Sequence, residues 1–191
     1  MNQPNGHHQP CAVLRAEHQV ILRVIRILDR LVDRCEAGKG FERESLAQCV
    51  EFFRLFADAC HHAKEEDLLF PVLESRGIPR DGGPIGVMLY EHTVARKFTA
   101  EMAEALYAHD RREPDAAQQF RKAARGYSEL LSNHIYKEDS VLFNVGDHVM
   151  TEEDQRSLDG KFCDVQCRSF GGKSRAQLEG IAADLESRWP G

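Results

Sequence analysis

His61-His62-Ala63-Lys64-Glu65-Glu66-Asp67-Leu68-Leu69-Phe70 and, 73 residues later, His134-Ile135-Tyr136-Lys137-Glu138-Asp139-Ser140-Val141-Leu142-Phe143 are two versions of one phrase. Each carries His-x-x-Lys-Glu, and each continues into an apolar triplet, Leu68-Leu69-Phe70 in one and Val141-Leu142-Phe143 in the other. A shorter phrase repeats at almost the same interval: Glu17-His18 returns 74 residues later as Glu91-His92. The chain therefore reads as two related helical hairpins disposed about a pseudo-twofold axis.

The surrounding periodicity supplies the helices. Four stretches show apolar residues alternately three and four apart, the seam of a bundle. They span about 11–36, 44–76, 84–109 and 114–145. The first stripe reads Leu14, His18, Ile21, Ile25, Leu28, Val32, and the second Leu46, Val50, Phe53, Ala57, His61, Glu65, Leu68, Val72. The third reads Ile85, Met88, His92, Ala95, Thr99, Met102, Leu106, and the fourth Phe120, Ala123, Tyr127, Leu131, His134, Glu138, Val141, Val145. Gly38, Gly40 and Gly77 stop two of them, while Pro84 and Pro114 suit helix starts. Long helices joined by short loops predict an all-α, up-down-up-down four-helix bundle over 11–149. Residues 1–10 are expected to be a disordered tail. Residues 150–191 are expected to form a short C-terminal helical extension. Thr151 with Asp154, and Ser174 with Gln177, mark two helix starts there, separated by a chain break at Gly171-Gly172.

Every one of the four stripes carries a histidine: His18, His61, His92 and His134. One such residue would read as a hydrogen-bonded core histidine; four in register point elsewhere. Glu65 and Glu138 lie one turn beyond His61 and His134, on the same face and about 6 Å along the axis. Buried carboxylates are costly without cations, and no lysine or arginine lies on the stripes. Metal ions would neutralise the carboxylates and use the imidazoles. A twofold arrangement offers two half-sites, so two metals are expected, with both carboxylates able to bridge. Imidazole with carboxylate suits iron, manganese or zinc rather than calcium or magnesium. Without metal, like charges at Glu65 and Glu138 are expected to make at least one carboxyl take up a proton or draw in water.

The pattern resembles the haemerythrin-like family, the HHE cation-binding domain, over about 11–148. The marks are Glu17-His18, His61 to Pro71, Glu91-His92 and His134 to Phe143. The resemblance implies a non-haem di-iron centre: two iron ions (Fe2+/Fe3+) with a bridging oxo or hydroxo group, zinc or manganese being possible substitutes. Carried over residue by residue, His18 and His61 take one iron, His92 and His134 take the other, and Glu65 and Glu138 span both. The function implied is binding or sensing of a small ligand (dioxygen, peroxide or nitric oxide) or of iron. A di-iron oxidase or peroxidase-like enzyme, or an iron-donating repair protein, is the alternative. The reading favours a metal- and ligand-binding protein over a dedicated enzyme.

The sequence departs from the oxygen carriers of that family. Where they place a second histidine one turn after the helix-three histidine, this chain has Arg96, and its fourth-helix carboxylate is a glutamate one turn on instead of an aspartate five residues on. A guanidinium cannot bind a metal, so Arg96 is expected either to point out of the bundle, leaving an open site for water, or to pair with a carboxylate such as Glu91 or Glu138. More open coordination argues against reversible oxygen carriage. His62 lies about 100° around an α-helix from His61. It reads as an additional ligand or as a helix–helix contact, and its substitution is expected to release little metal. Glu17 and Glu91 are either partners that orient imidazoles or solvated residues. Tyr90 and Tyr127 are candidates to line the cavity, and His109 and His148 to cap helix ends.

Composition sets the outer bounds. The 191 residues carry 25 basic and 31 acidic side chains, a net charge of −6, so no basic surplus exists to bind nucleic acid. No apolar run is long enough to span a membrane, and the opening residues lack a signal-peptide segment. A cytoplasmic protein is expected, its six cysteines free thiols. The partner implied by the resemblance is a diatomic molecule or peroxide.

Overall fold

The computed structural model describes residues 9–190. Helix α1 is Pro10–Glu36. Helix α2 runs over 43–75 as one rod of four pieces: α-helical Arg43–Phe52, π-helical Phe53–His62 and Glu65–Leu69, and closing Phe70–Ser75. Helix α3 is Pro84–Asp110. Helix α4 runs over 116–149 with a π-helical turn, Glu138–Leu142, between Ala116–Lys137 and Phe143–Val149. Helices α1 and α3 each pack on α2 and α4, which closes the all-α bundle. α4 starts at Ala116, two residues later than Pro114, after Asp115 in a left-handed conformation. Pro10 already belongs to α1; the rest of the expected tail, with His7 and His8, lies outside the described residues apart from Gln9.

The extension holds α5, Glu152–Gln166, and α6, Arg175–Arg188, each opened by a complete capping box from Thr151 with Asp154 and Ser174 with Gln177. Between them Gly171-Gly172 does more than break the chain. Both glycines take positive φ, 57° and 81°, and turn a small antiparallel hairpin, β1 Ser169–Phe170 against β2 Lys173–Ser174. A two-residue turn with both φ positive suits glycine, which pays no Cβ penalty there. α6 packs on α1 and α2, and α5 on α1 and α2.

Two apolar clusters fill the interior. One spans Ile21–Val32, Phe52, Phe53, Phe56, Met102, Phe120, Tyr127 and Leu131; the other holds Cys11, Leu14, Leu69, Phe70, Met88, Leu142, Phe143 and Phe162. Each fully buried Phe or Leu contributes about 1.5–3 kcal/mol relative to an exposed one. The histidines fall between the clusters: His18 lies between Leu14 and Ile21, and His92 between Met88 and Ala95. A polar layer is thus held between two dry ones.

The π-helical turns change the seam. Beyond Glu65 the fully buried residues of the helix are Leu69, Phe70 and Leu73, where 3.6-residue periodicity predicts Leu68 and Val72. Beyond Glu138, Leu142 and Phe143 are buried, while Val141 and Val145 are exposed. An i→i+5 turn inserts one residue and slips the face by one position; such turns recur at functional sites. Here both copies sit at the repeated glutamate.

Candidate metal centre

His18 from α1, His61 and Glu65 from α2, His92 from α3, and His134 and Glu138 from α4 converge in the polar layer, all buried. Glu65 lies with Oε1 3.3 Å from His61 Nε2 and Oε2 3.5 Å from His92 Nε2. Glu138 Oε2 lies 3.2 Å from both His18 Nε2 and His134 Nε2. Each carboxylate therefore faces one imidazole of each hairpin, the arrangement a bridge across the pseudo-twofold requires. Two four-donor groups result: His18, His61, Glu65 and Glu138 in one, His62, Glu65, His92 and His134 in the other, with the donor atoms of each within 4.8 Å of one another.

An outer ring of carboxylates sets the imidazoles. His61 Nδ1 lies 2.9 Å from Glu17 and His134 Nδ1 2.9 Å from Glu91. His18 Nδ1 lies 2.8 Å from Asp139 and His92 Nδ1 2.7 Å from Glu66. An ionised carboxylate only accepts, so Nδ1 is the donor in every pair and Nε2 is turned to the centre. This is the orienting device that metal-binding histidines use. Glu17 and Glu91 are thus orienting partners, each serving the other helix of its own hairpin, and they also accept from Lys64 and Lys137. Glu66 and Asp139 were not anticipated. Their signal was the acidic residue that follows Glu65 and Glu138 in both copies of the repeat.

At Glu138 the electrostatics run against a protonated carboxyl. Burial alone would raise Glu138, but His134 and His18 beside it hold it well below the usual carboxylate range. Two of the imidazoles are raised in turn. Burial disfavours charge on His61 and His134, yet Glu65 and Glu17 push His61 up to about 9, and Glu138 and Glu91 push His134 up to about 10. Close as these contacts are, they lack the alignment of hydrogen bonds: both oxygens of Glu65, both of Glu138 and Nε2 of His18 are buried without a hydrogen-bond partner among the described residues. Buried acceptors left unpaired are destabilising. Four orphan carboxylate oxygens among inward-turned imidazole nitrogens fit a pair of metal cations of the kind that takes nitrogen and oxygen donors.

His62 enters the layer too. Its ring stacks on His92 at 3.8 Å between centroids and is buried. The wide turns of Phe53–His62 rotate each residue by less than an α-helix does, so His61 and His62 both face inward. Burial and the imidazoles of His92, His61 and His134 hold His62 well below its ordinary value, the neutral form that offers a lone pair. Arg96 points away from the centre and pairs with carboxylates, Asp58 at 2.7 Å and Glu66 at 2.6 Å in place of the examples Glu91 and Glu138. Glu91 is taken by His134 and Lys137, and Glu138 faces imidazoles. Tyr90 is exposed, Tyr127 is buried against Phe53, and His109 stacks on Phe41.

A cation-binding pattern of this kind has relatives. The model of the Hemerythrin HHE cation binding domain matches residues 9–145, and the chain belongs to that family. It is a metal-binding protein by that membership and by its buried His/Glu clusters. An uncharacterized protein of Mycobacterium tuberculosis (strain ATCC 25618 / H37Rv) is 25% identical over 173 residues, covering 91% of this chain and 67% of its own length. The iron-sulfur cluster repair protein YtfE of Edwardsiella ictaluri (strain 93-146) is 30% identical over 132 residues, covering 66% of this chain and 58% of its own. Among the described residues no helix is long and apolar enough to cross a membrane.

Proposed function

We propose that the chain is a non-haem di-iron protein that binds or senses a small ligand, such as dioxygen, peroxide or nitric oxide, in the bundle core. The observation that carries this reading is the set of four orphan carboxylate oxygens of Glu65 and Glu138, each carboxylate between imidazoles of opposite hairpins. His18 and His61 would hold one iron, His62, His92 and His134 the other, with Glu65 and Glu138 shared. A bound iron pair supplies one-electron chemistry and an open position for a diatomic molecule or peroxide. The protein's own residues do the rest. Glu17, Glu66, Glu91 and Asp139 hold the imidazoles in place, and the two apolar clusters keep bulk water out.

A second reading, donation of iron to a damaged cluster, is favoured by the likeness to YtfE, named as an iron-sulfur cluster repair protein. The free thiols support a reducing, cytoplasmic setting for either. The test is an anaerobic-to-aerobic optical titration of the iron-loaded protein, repeated with nitric oxide and with peroxide. A near-ultraviolet band that responds stoichiometrically to one of them supports ligand binding. Iron transfer to an apo iron–sulfur acceptor, without such a response, supports donation.

A further inference from the structure

The two hairpins repeat the Glu–His–Lys triad but not its surroundings. Glu17 takes hydrogen bonds from His61 and Lys64, and a third cation reaches it: Nη1 of Arg175, at the start of α6, lies 2.8 Å away. Glu91 takes the matching bonds from His134 and Lys137. Yet the side chains of Glu17 and Lys64 are 0% exposed, whereas those of Glu91 and Lys137 are 13% and 39% exposed.

The extension makes the difference. Phe162 of α5 lies with its ring centroid 5.8 Å from the Lys64 ammonium. Arg175 closes over Glu17 with its guanidinium 5.9 Å from the Phe56 ring, and Glu179 one turn along α6 fixes it at 2.8 Å. The Ser174–Gln177 capping box sets where α6 begins and so where Arg175 stands.

This inequality has a kinetic meaning. A metal leaves when its imidazole swings away, and the swing must break the Nδ1–carboxylate bond. At Glu91 water can replace the lost partner, because Lys137 already stands in solvent. At Glu17 water is excluded, and the buried Lys64 together with Arg175, an ion-pair partner that is itself 23% exposed, holds the carboxylate in place.

We infer that the C-terminal extension latches one half of the metal centre: Arg175 is a positioning residue that locks Glu17 and, through it, His61. The half-site of His18 and His61 then exchanges metal slowly, and the half-site of His62, His92 and His134 exchanges first. The inference rests on the two-metal reading proposed above. The test uses the full chain loaded with two ferrous ions and mixed anaerobically with excess ferrous chelator, release being followed by the chelate colour. Two phases of equal amplitude are expected. Arg175→Ala should speed the slow phase about tenfold, the low end of what losing an outer-shell partner costs because Arg175 acts through Glu17, with the fast phase unchanged and Arg175→Lys intermediate. Arg175→Gln gives the same comparison should the alanine variant fail to fold. A single release phase in the wild type, or Arg175 variants whose slow phase stays within about twofold of it, overturns the latch. A chain that never retains two irons is seen before chelator is added, and it overturns the metal reading and the latch with it.

Discussion

Arg96 donates from Nε to Asp58 at 2.7 Å, and Asp58 lies 3.4 Å from Nδ1 of His62. The same guanidinium donates from Nη2 to Glu66, which accepts from His92. One arginine thus braces two stacked imidazoles from outside the centre. In the position where an oxygen carrier of this family has a histidine, the chain has this brace, and a fifth inward imidazole comes from α2. Position 96 and position 62 therefore work as a pair.

Removing the brace should unsettle one half of the site. Arg96→Leu is expected to weaken metal binding at the His62/His92/His134 half about 10–100-fold and to leave the other half unchanged. Competition titration with a chelator resolves the two sites. Equal weakening of both, or none, would refute the assignment.

The neighbours His61 and His62 should behave alike in kind. The α-helical register expects His62→Ala to release little metal; the geometry places His62 among four donors and predicts the loss of about one metal of two. His61→Ala is predicted to empty the other half. Metal analysis after gel filtration reads both, and a His62→Ala protein that keeps its full complement contradicts this placement.

Metal removal should leave a stability that depends on pH. In the metal-free chain His61 and His134 are raised to about 9 and about 10, against about 6.5 when unfolded. Their contribution is fully present below about pH 6.5 and is lost as pH rises through about 9–10. The thermal midpoint of the apo protein should fall over that window, by about 2–4 °C for each kcal/mol lost. The loaded protein, whose imidazoles hold metal in place of protons, should stay flat there. An apo midpoint that rises with pH contradicts the protonated pairs.

Thiol reactivity should report the packing of the extension. Cys163 and Cys167 are exposed on and beside α5, whereas Cys11, Cys49 and Cys60 are buried and burial pushes Cys49 up to about 12. Brief alkylation of the native protein, mapped by mass spectrometry, should label Cys163 and Cys167 and spare the three buried thiols. Rapid labelling of Cys60, which lies near Arg175 and Lys64, would mean that the extension does not dock as described.

The stripes through His18 and His92 were legible throughout, because α1 and α3 are regular helices and 3.6-residue periodicity holds along them. The same rule fails past Glu65 and Glu138, where a π-helical turn exchanges Val141 for Leu142 at the core. No spacing rule locates such a turn in advance. That turn geometry also hid His62, placed on the helix flank by a rotation the backbone does not follow. Glu66 and Asp139 could have been read from the repeat. Arg175 could not, because its role exists only once α6 docks on α1 and α2, which no local pattern specifies.

Two metals in one bundle core, held between paired hairpins, require a definite stoichiometry. Anaerobic titration of the apo chain with ferrous iron, read by bound metal per chain and by the near-ultraviolet band after oxidation, tests it most directly. Saturation at two irons is expected, with Glu65→Gln and Glu138→Gln each abolishing tight binding of the pair. Saturation at one iron, or two irons retained in both glutamine variants, would contradict it.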